Sequence, residues 1–204
     1  MCLHFNLFCD RGHGMEFLTE RIMASTQVSL NWLSNSDELE AFEDFCNQVK
    51  LRLHEGNTLY IFGNGGSAAE ASHIAAEFVG KCVTPSRALS SISLNDSISG
   101  ITAIGNDWDF EMVFSRQLEA HAKPSDIVIG LSTSGNSRNV IAGLKKGKEI
   151  GCLTSLWTST LFYTTNLAFD YVFRAPSSST PRTQELHLQW GHVLAEYVEI
   201  SEIR

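Results

Sequence analysis

The chain has 204 residues, 43% of them hydrophobic and 19% charged, and a net charge of -8. That is enough apolar content for one domain with a full core, while the acidic balance excludes a general nucleic-acid binder, which needs a basic face. The five cysteines, Cys2, Cys9, Cys46, Cys82 and Cys152, are odd in number, scattered and free of any C-x-x-C pair, which excludes a disulfide framework or a cysteine zinc site and leads us to expect a reducing, cytoplasmic setting.

Residues 1–9 are apolar but too short for a secretory core, and they lack a basic leader. With no run of about 18 apolar residues either, neither a cleavable signal nor a membrane span is expected. Residues 1–14 read as a disordered extension, with Met15 as an alternative start. Residues 15–204 read as one domain that includes N-terminal helices over 15–55.

A first helix is predicted over 15–33, where Phe17, Leu18, Ile22, Met23 and Val28 recur at near-helical spacing. A second is predicted over 37–53, with Ser36 as its N-cap, Leu39, Phe42, Phe45, Cys46, Val49 and Leu53 on one side, and Gly56-Asn57 as its stop. Apolar faces in such an arm suit subunit contacts and core packing equally. Thr58 to Phe62 is a short apolar strand, broken by Gly63-Asn64-Gly65-Gly66 and followed from Ser67 by an alanine-rich helix. A strand over 90–94 precedes a helical segment over 98–104 that Gly105-Asn106-Asp107 is expected to break; 110–122 is helical again. Asp126 to Leu131 has the apolar run of a buried strand and ends in Ser132-Thr-Ser-Gly-Asn-Ser137, with a helix over 138–150. Strands over 152–156 and 171–174 follow, then a last helix from about Pro181, suited to a first turn, to Ile203. Strands alternating with helices predict an α/β fold, a parallel sheet flanked by helices behind an N-terminal helical arm. Ligands in such sheets sit beyond the carboxyl ends of the strands, where both polar turns lie.

The chemistry concentrates in three places. Glycines let backbone approach a ligand closely, and a helix N-terminus welcomes an anion; Gly63 to Ser67 combines the two, with the Ser67 hydroxyl as cap or phosphate donor. It matches neither the dinucleotide nor the P-loop fingerprint. His73 and Glu77 follow, four apart on one helix face. The second turn, 132–137, gathers four hydroxyls and a glycine before a helix. The run Ser177 to Thr180 is a serine-rich connection without a glycine turn. On the last helix Gln184 and His192 are eight apart, on roughly one side; His187 and Glu196 are positional rivals. Together His73, Glu77, Gln184 and His192 would make a mixed N/O site suited to zinc, nickel or iron(II), with the glutamine as a weak ligand that yields to substrate.

In combination, Gly63-Asn-Gly-Gly-Ser67, His73-x-x-x-Glu77, Gly105-Asn-Asp107, Ser132-Thr-Ser-Gly-Asn-Ser137 and Thr183-Gln-Glu-Leu-His187…His192 resemble the phosphoheptose (sedoheptulose 7-phosphate) isomerase family of the sugar-isomerase (SIS) group. The likeness runs from about residue 25 to the C-terminus. It implies a flavodoxin-like parallel sheet, a homotetramer with sites between subunits, and one zinc per subunit at His73, Glu77, Gln184 and His192. It also implies that Asn64, Gly65, Gly66 and Ser67 line the sugar-phosphate site. Ser132, Thr133, Ser134 and Ser137 would grip the phosphate, Asn106 and Asp107 would meet sugar hydroxyls, and Glu77 and His192 would form the acid/base pair. The implied product feeds activated heptose for surface glycans such as lipopolysaccharide.

The chain departs from the family pattern at Lys81, where an arginine is common, so a point charge replaces a bidentate fork. It departs again in the loop 157–165, which lacks the usual glycines, and at Thr183 in place of an isoleucine. Two other readings remain: a non-catalytic SIS adaptor that binds the bacterial replication initiator, and an isomerase of another sugar phosphate. The complete His/Glu/Gln/His set argues against the adaptor.

Overall fold

The computed structural model describes residues 11–85, 87–160 and 169–200. In chain order the elements are α1 (Arg11–Leu33), α2 (Ser36–His54), β1 (Leu59–Gly63), α3 (Gly66–Val79), β2 (Ser91–Ser93), α4 (Ile98–Asp107), α5 (Ser115–His121), β3 (Ile127–Leu131), α6 (Arg138–Ile150), β4 (Leu153–Ser159), β5 (Tyr171–Ala175) and α7 (Thr180–Ile200). The strands form one parallel sheet in the order β2-β1-β3-β4-β5. This is the flavodoxin-like order, and its direction reverses between β1 and β3, so the expected fold class is borne out.

The alternation within the strands divides the core. Leu59 and Ile61 of β1, with Ile127, Ile129 and Leu131 of β3, pack toward α2, α3 and α7. Tyr60, Phe62 and Val128 point the other way, toward α5 and α6. Burial on both faces explains why these strands read as continuous apolar runs. An aromatic cluster ties the N-terminal arm to the first face: Phe42 of α2 meets Phe173 edge-on at 5.1 Å, and Trp32 of α1 lies 5.1 Å from Trp190 of α7.

Several boundaries differ from expectation. Helix α1 starts at Arg11, so 11–14 belong to the arm; 1–10 lie outside the described residues. The cap of α2 is Asn35, whose side chain accepts from Glu38 N, not Ser36. Helix α4 runs through Gly105-Asn106-Asp107 and stops at Trp108, because Ile101 and Ile104 pack on the core and offset the roughly 1 kcal/mol that a helical glycine costs. Residues 110–122 split into a 3₁₀ turn, Phe110–Met112, with Asp109 accepting from Glu111 N, and then α5. Strand β4 continues through Trp157 to Ser159, beyond the expected loop boundary at 157, because Trp157 is fully buried and pairs in register with Phe173 of β5. The rest of that loop, from 161, and the end of the predicted last helix, from 201, lie outside the described residues.

Among the described side chains of α1 only Val28 and Trp32 are buried, while Phe17, Leu18, Ile22 and Met23 are more than half exposed. Core packing therefore explains little of that predicted apolar face. Among the described residues no helix is long and apolar enough to cross a membrane.

Helix α7 is tied down at two points. Near its end Glu199 accepts from the backbone N–H groups of Cys82, Val83 and Thr84. Burial raises the pKa of this carboxyl, and those donors outweigh burial, leaving it below its ordinary value. Nearer its start, His187 is fully buried against β4, its Nε2 3.1 Å from the carbonyl of Thr158. The carbonyl oxygen can only accept a hydrogen bond, so Nε2–H donates. Burial drives the His187 pKa down to about 4 from its ordinary 6.5, against the opposing pull of that carbonyl. The unfolded imidazole takes up a proton near pH 6.5 and the folded one only near 4. Stability from this group is therefore full above pH 6.5 and is lost as pH falls toward 4, by about 3 kcal/mol in all. Urea unfolding between these pH values should show the loss in the wild-type protein. His187→Gln, whose amide also reaches Thr158 without titrating, should lack it; equal slopes in the two proteins would remove His187 as the cause.

Candidate active site

The two polar turns meet at the sheet's switch point. In the first, Gly65 takes φ 56 and caps α3 with no side-chain bond, a backbone state that L side chains rarely adopt. In the second, Gly135 takes φ 65 and its N–H donates to the carbonyl of Ser132. Ser132 Oγ donates to Ser137 Oγ at 2.9 Å, and the Ser134 hydroxyl accepts from Asn136 N at 3.3 Å. Ser134 is exposed, Thr133 and Ser137 are half-buried, and Ser132 is buried. The turn thus offers a graded set of hydroxyls before α6, whose N-cap residue Ser137 makes no side-chain cap bond. Two amides bridge the turns: Asn64 and Asn139 exchange a reciprocal pair of hydrogen bonds, each 2.8 Å.

Ser67 does not cap α3 as expected. It is buried, and its hydroxyl accepts from Gln184 Nε2 at 3.4 Å. This places Ser67 in the seam between α3 and α7. The two helices run in the same direction there, since Gly66 and Ser67 face Gln184 while Ile74 faces Gly191. The contact at Gly191 is tight; a Cβ added to it would stand 2.4 Å from Ile74 Cγ1.

One residue beyond that contact, His192 reaches His73. Their Nε2 atoms lie 2.9 Å apart, and His73 Nε2 is 3.3 Å from Glu77 Oε1. The donor atoms of His73, Glu77 and His192 all fall within 4.8 Å of one another. Two imidazole nitrogens and a carboxylate oxygen at that spacing are a mixed N/O donor set that fits a divalent metal. Gln184 is not part of this cluster. It lies eight residues back on α7, about 12 Å along the axis, with its amide at Ser67. Of the positional rivals, His187 is committed to β4, and Glu196 stands a turn past His192 outside the cluster. The Cys82 thiol borders the site but stays protonated, its pKa raised to about 11 by burial first and then by Glu77, Glu196 and Glu199.

Asn106 and Asp107 stand apart, exposed at the end of α4, where Asn106 Nδ2 donates to Asp107 Oδ1 at 2.7 Å. Among the described residues they bond to neither turn nor triad. Lys81 is exposed just past α3.

Three residues of this region went unnoticed in the sequence. Asn95 holds the end of β1 by accepting from Gly63 N and donating to Gly63 O. Asn139 is the bridge already described. Glu70 lies on the His73 and Glu77 face, three residues after Ser67 and three before His73. One of its oxygens is buried without a partner, and burial lifts its pKa to about 7 against the pull of the Ser67 hydroxyl. Helical spacing alone was the available signal for Glu70.

With this geometry in place, likeness to other proteins is informative. The SIS domain profile matches residues 22–159. A phosphoheptose isomerase of Aquifex aeolicus is 46% identical over 156 residues, 76% of this chain and 82% of that one. One of Clostridium acetobutylicum is 37% identical over 183 residues, 90% of this chain and 93% of that one. Among solved structures, the phosphoheptose isomerase of Neisseria gonorrhoeae matches with a TM-score of 0.81 at 29% identity, covering 90% of this chain and 97% of that one.

The Gly191 contact sets the distance between the two histidines. Gly191→Ala should therefore cost about 1–3 kcal/mol of stability through overpacking and weaken binding of an added divalent metal, measured against a competing chelator. Unchanged metal affinity would show that the triad tolerates a wider seam.

Proposed function

The chain belongs to the SIS domain proteins and, among them, to the phosphoheptose isomerase family, and from that membership we propose that it interconverts sedoheptulose 7-phosphate and D-glycero-D-manno-heptose 7-phosphate. It is a sugar-phosphate isomerase. The observation that carries the reading to particular residues is the convergence of His73, Glu77 and His192 in a seam that opens beside the two polar turns.

Isomerisation moves a proton from C1 to C2 and leaves the carbonyl on C1. Glu77 takes the C1 proton, and the freed electron pair forms the C1–C2 double bond. The C2 carbonyl oxygen then takes a proton from His192, giving the enediol. Return of the carbon proton to C2 and loss of the O1 proton complete the aldose. A carboxylate for the carbon proton and an imidazole for the oxygens divide general acid/base work in this way. His73, Glu77, Gln184 and His192 would hold one zinc ion per subunit, and when bound the ion lends positive charge to the enediolate oxygens. Ser132, Thr133, Ser134 and Ser137 hold the phosphate, while Asn64, Gly65, Gly66 and Ser67 line the sugar-phosphate site, so remote binding keeps C1 and C2 in register.

We assign the site to a homotetramer in the cytoplasm. The exposed apolar residues of α1 support self-association, and the half-exposed His73 needs a cover that excludes water. Asn106 and Asp107, exposed on α4, fit sugar hydroxyls from a neighbouring copy. The product enters activated heptose synthesis for surface glycans such as lipopolysaccharide.

Purified protein should turn over sedoheptulose 7-phosphate, lose activity on chelation and regain it with zinc. No turnover with zinc bound points to another sugar phosphate; no turnover and no metal points to an adaptor. Glu77→Gln and His192→Ala should each lower kcat about a thousand-fold with far-UV circular dichroism unchanged, and wild-type rates in both would remove the acid/base pair. Ser134→Ala should raise KM about ten-fold through one lost phosphate contact, and an unchanged KM would remove that serine from the cradle.

A further inference from the structure

Asn64 follows β1 directly and Asn139 is the second residue of α6, so their side chains cross the line where the strand order reverses. Asn64 Nδ2 donates to Asn139 Oδ1, and Asn139 Nδ2 donates to Asn64 Oδ1, each at 2.8 Å. Asn139 is 3% exposed. Its Oδ1 also accepts from Val140 N at 3.0 Å.

That third bond decides the orientation. An asparagine amide has two faces of similar shape, an oxygen and an NH₂, and a free one samples both. The Val140 N–H can only donate, so it fixes the oxygen of Asn139 toward itself. The NH₂ of Asn139 must then face Asn64, and it fixes the oxygen of Asn64 in turn. Both lone pairs of Asn139 Oδ1 are used, whereas Asn64 keeps one N–H and one lone pair. Their directions are set by a residue on a different element.

We infer that Asn139 is a positioning residue for the sugar-phosphate site: it locks the amide of Asn64 in one orientation and joins the glycine turn after β1 to the hydroxyl turn after β3. The ligand meets a fixed donor and acceptor and spends no binding energy on ordering them. This rests on the isomerase reading for the identity of the ligand. It assigns Asn139 no contact with substrate.

The test is a double-mutant cycle on the full chain: Asn64→Ala, Asn139→Ala and both together, with Asn139→Asp as an isosteric control. Asn139→Asp keeps an acceptor for Val140 N–H, replaces the donor to Asn64 with a second acceptor and adds a charge, so it carries the test through its coupling to Asn64→Ala if Asn139→Ala fails to fold. Asn139→Ala and Asn139→Asp should each raise KM for sedoheptulose 7-phosphate about ten-fold, with kcat within about three-fold and zinc content unchanged. In the Asn64→Ala background Asn139→Ala should change KM less than about two-fold, because its target is already gone. Wild-type KM in Asn139→Asp, or the same rise in KM with and without Asn64, overturns the lock and leaves a structural residue. If the wild-type protein does not turn over the heptulose phosphate, the isomerase reading fails. The same cycle is then read by calorimetry with sedoheptulose 7-phosphate: non-additive affinities still support the lock, and additive ones or no binding overturn it.

Discussion

The contact of Gly191 with Ile74 governs the site. A hydrogen at position 191 lets α7 lie against α3 where any side chain would stand 2.4 Å from the isoleucine. Helices packed through ordinary side chains keep their axes about 8–10 Å apart. Here the neighbours of that contact, His73 before Ile74 and His192 after Gly191, are carried toward each other until their Nε2 atoms are 2.9 Å apart. Glu77 joins because it is one turn along from His73 on the same face. A three-residue cluster therefore follows from one missing methyl group and two helical spacings. The same packing seats Gln184 against Gly66 at the other end of the seam, so the triad and the glycine turn are parts of one interface.

Around that interface the anchoring is distributed so that α7 cannot slide. His187 fastens it to β4 through Thr158, and Glu199 fastens its far end to the turn after α3. Each bond is to backbone, which does not rotate away as a side chain would. Axial slippage of α7 by one residue would move His192 about 1.5 Å, enough to spoil both the triad and the fit at Ile74. The sheet contributes the other half. Parallel strands β1 and β3 end side by side, and the crossovers that leave them go to opposite sides, opening the crevice that the Asn64–Asn139 pair spans.

Much of this was legible in the sequence because it depends on local rules. The apolar run before Gly63, the run before Ser132 and the helix 138–150 each stand close to where periodicity placed them, and the flavodoxin-like order followed from the resemblance. What was not legible depends on contacts between elements. Ser67 looked like a cap because serine at a helix start often is one, yet Gly65 holds that position and the seam with α7 claims the hydroxyl. Gly105-Asn106-Asp107 looked like a break, but packing of Ile101 and Ile104 outweighed the glycine. His187 and His192 were equivalent by spacing; only burial against β4 separates them. Asn139 carried no signal at all, since its partner lies 75 residues away.

The arrangement also places a constraint on substrate length. The glycine turn sits at the N-terminal end of α3, bridged to the hydroxyl turn before α6, and Glu77 lies farther down α3 with His192 of α7 beside it. On the isomerase reading the phosphate sits in the hydroxyl turn before α6, and C1 and C2 react beside Glu77 and His192. The Asn64–Asn139 pair joins the two turns, and a helix does not stretch, so the two ends of the site keep a set separation. A shorter sugar phosphate anchored by its phosphate would leave C1 short of Glu77; anchored by its reacting end, it would forfeit the phosphate contacts. Either way it loses the remote binding energy that holds the reacting carbons in place. Selectivity for a long-chain ketose then draws on the set separation between the hydroxyl turn and the acid/base pair.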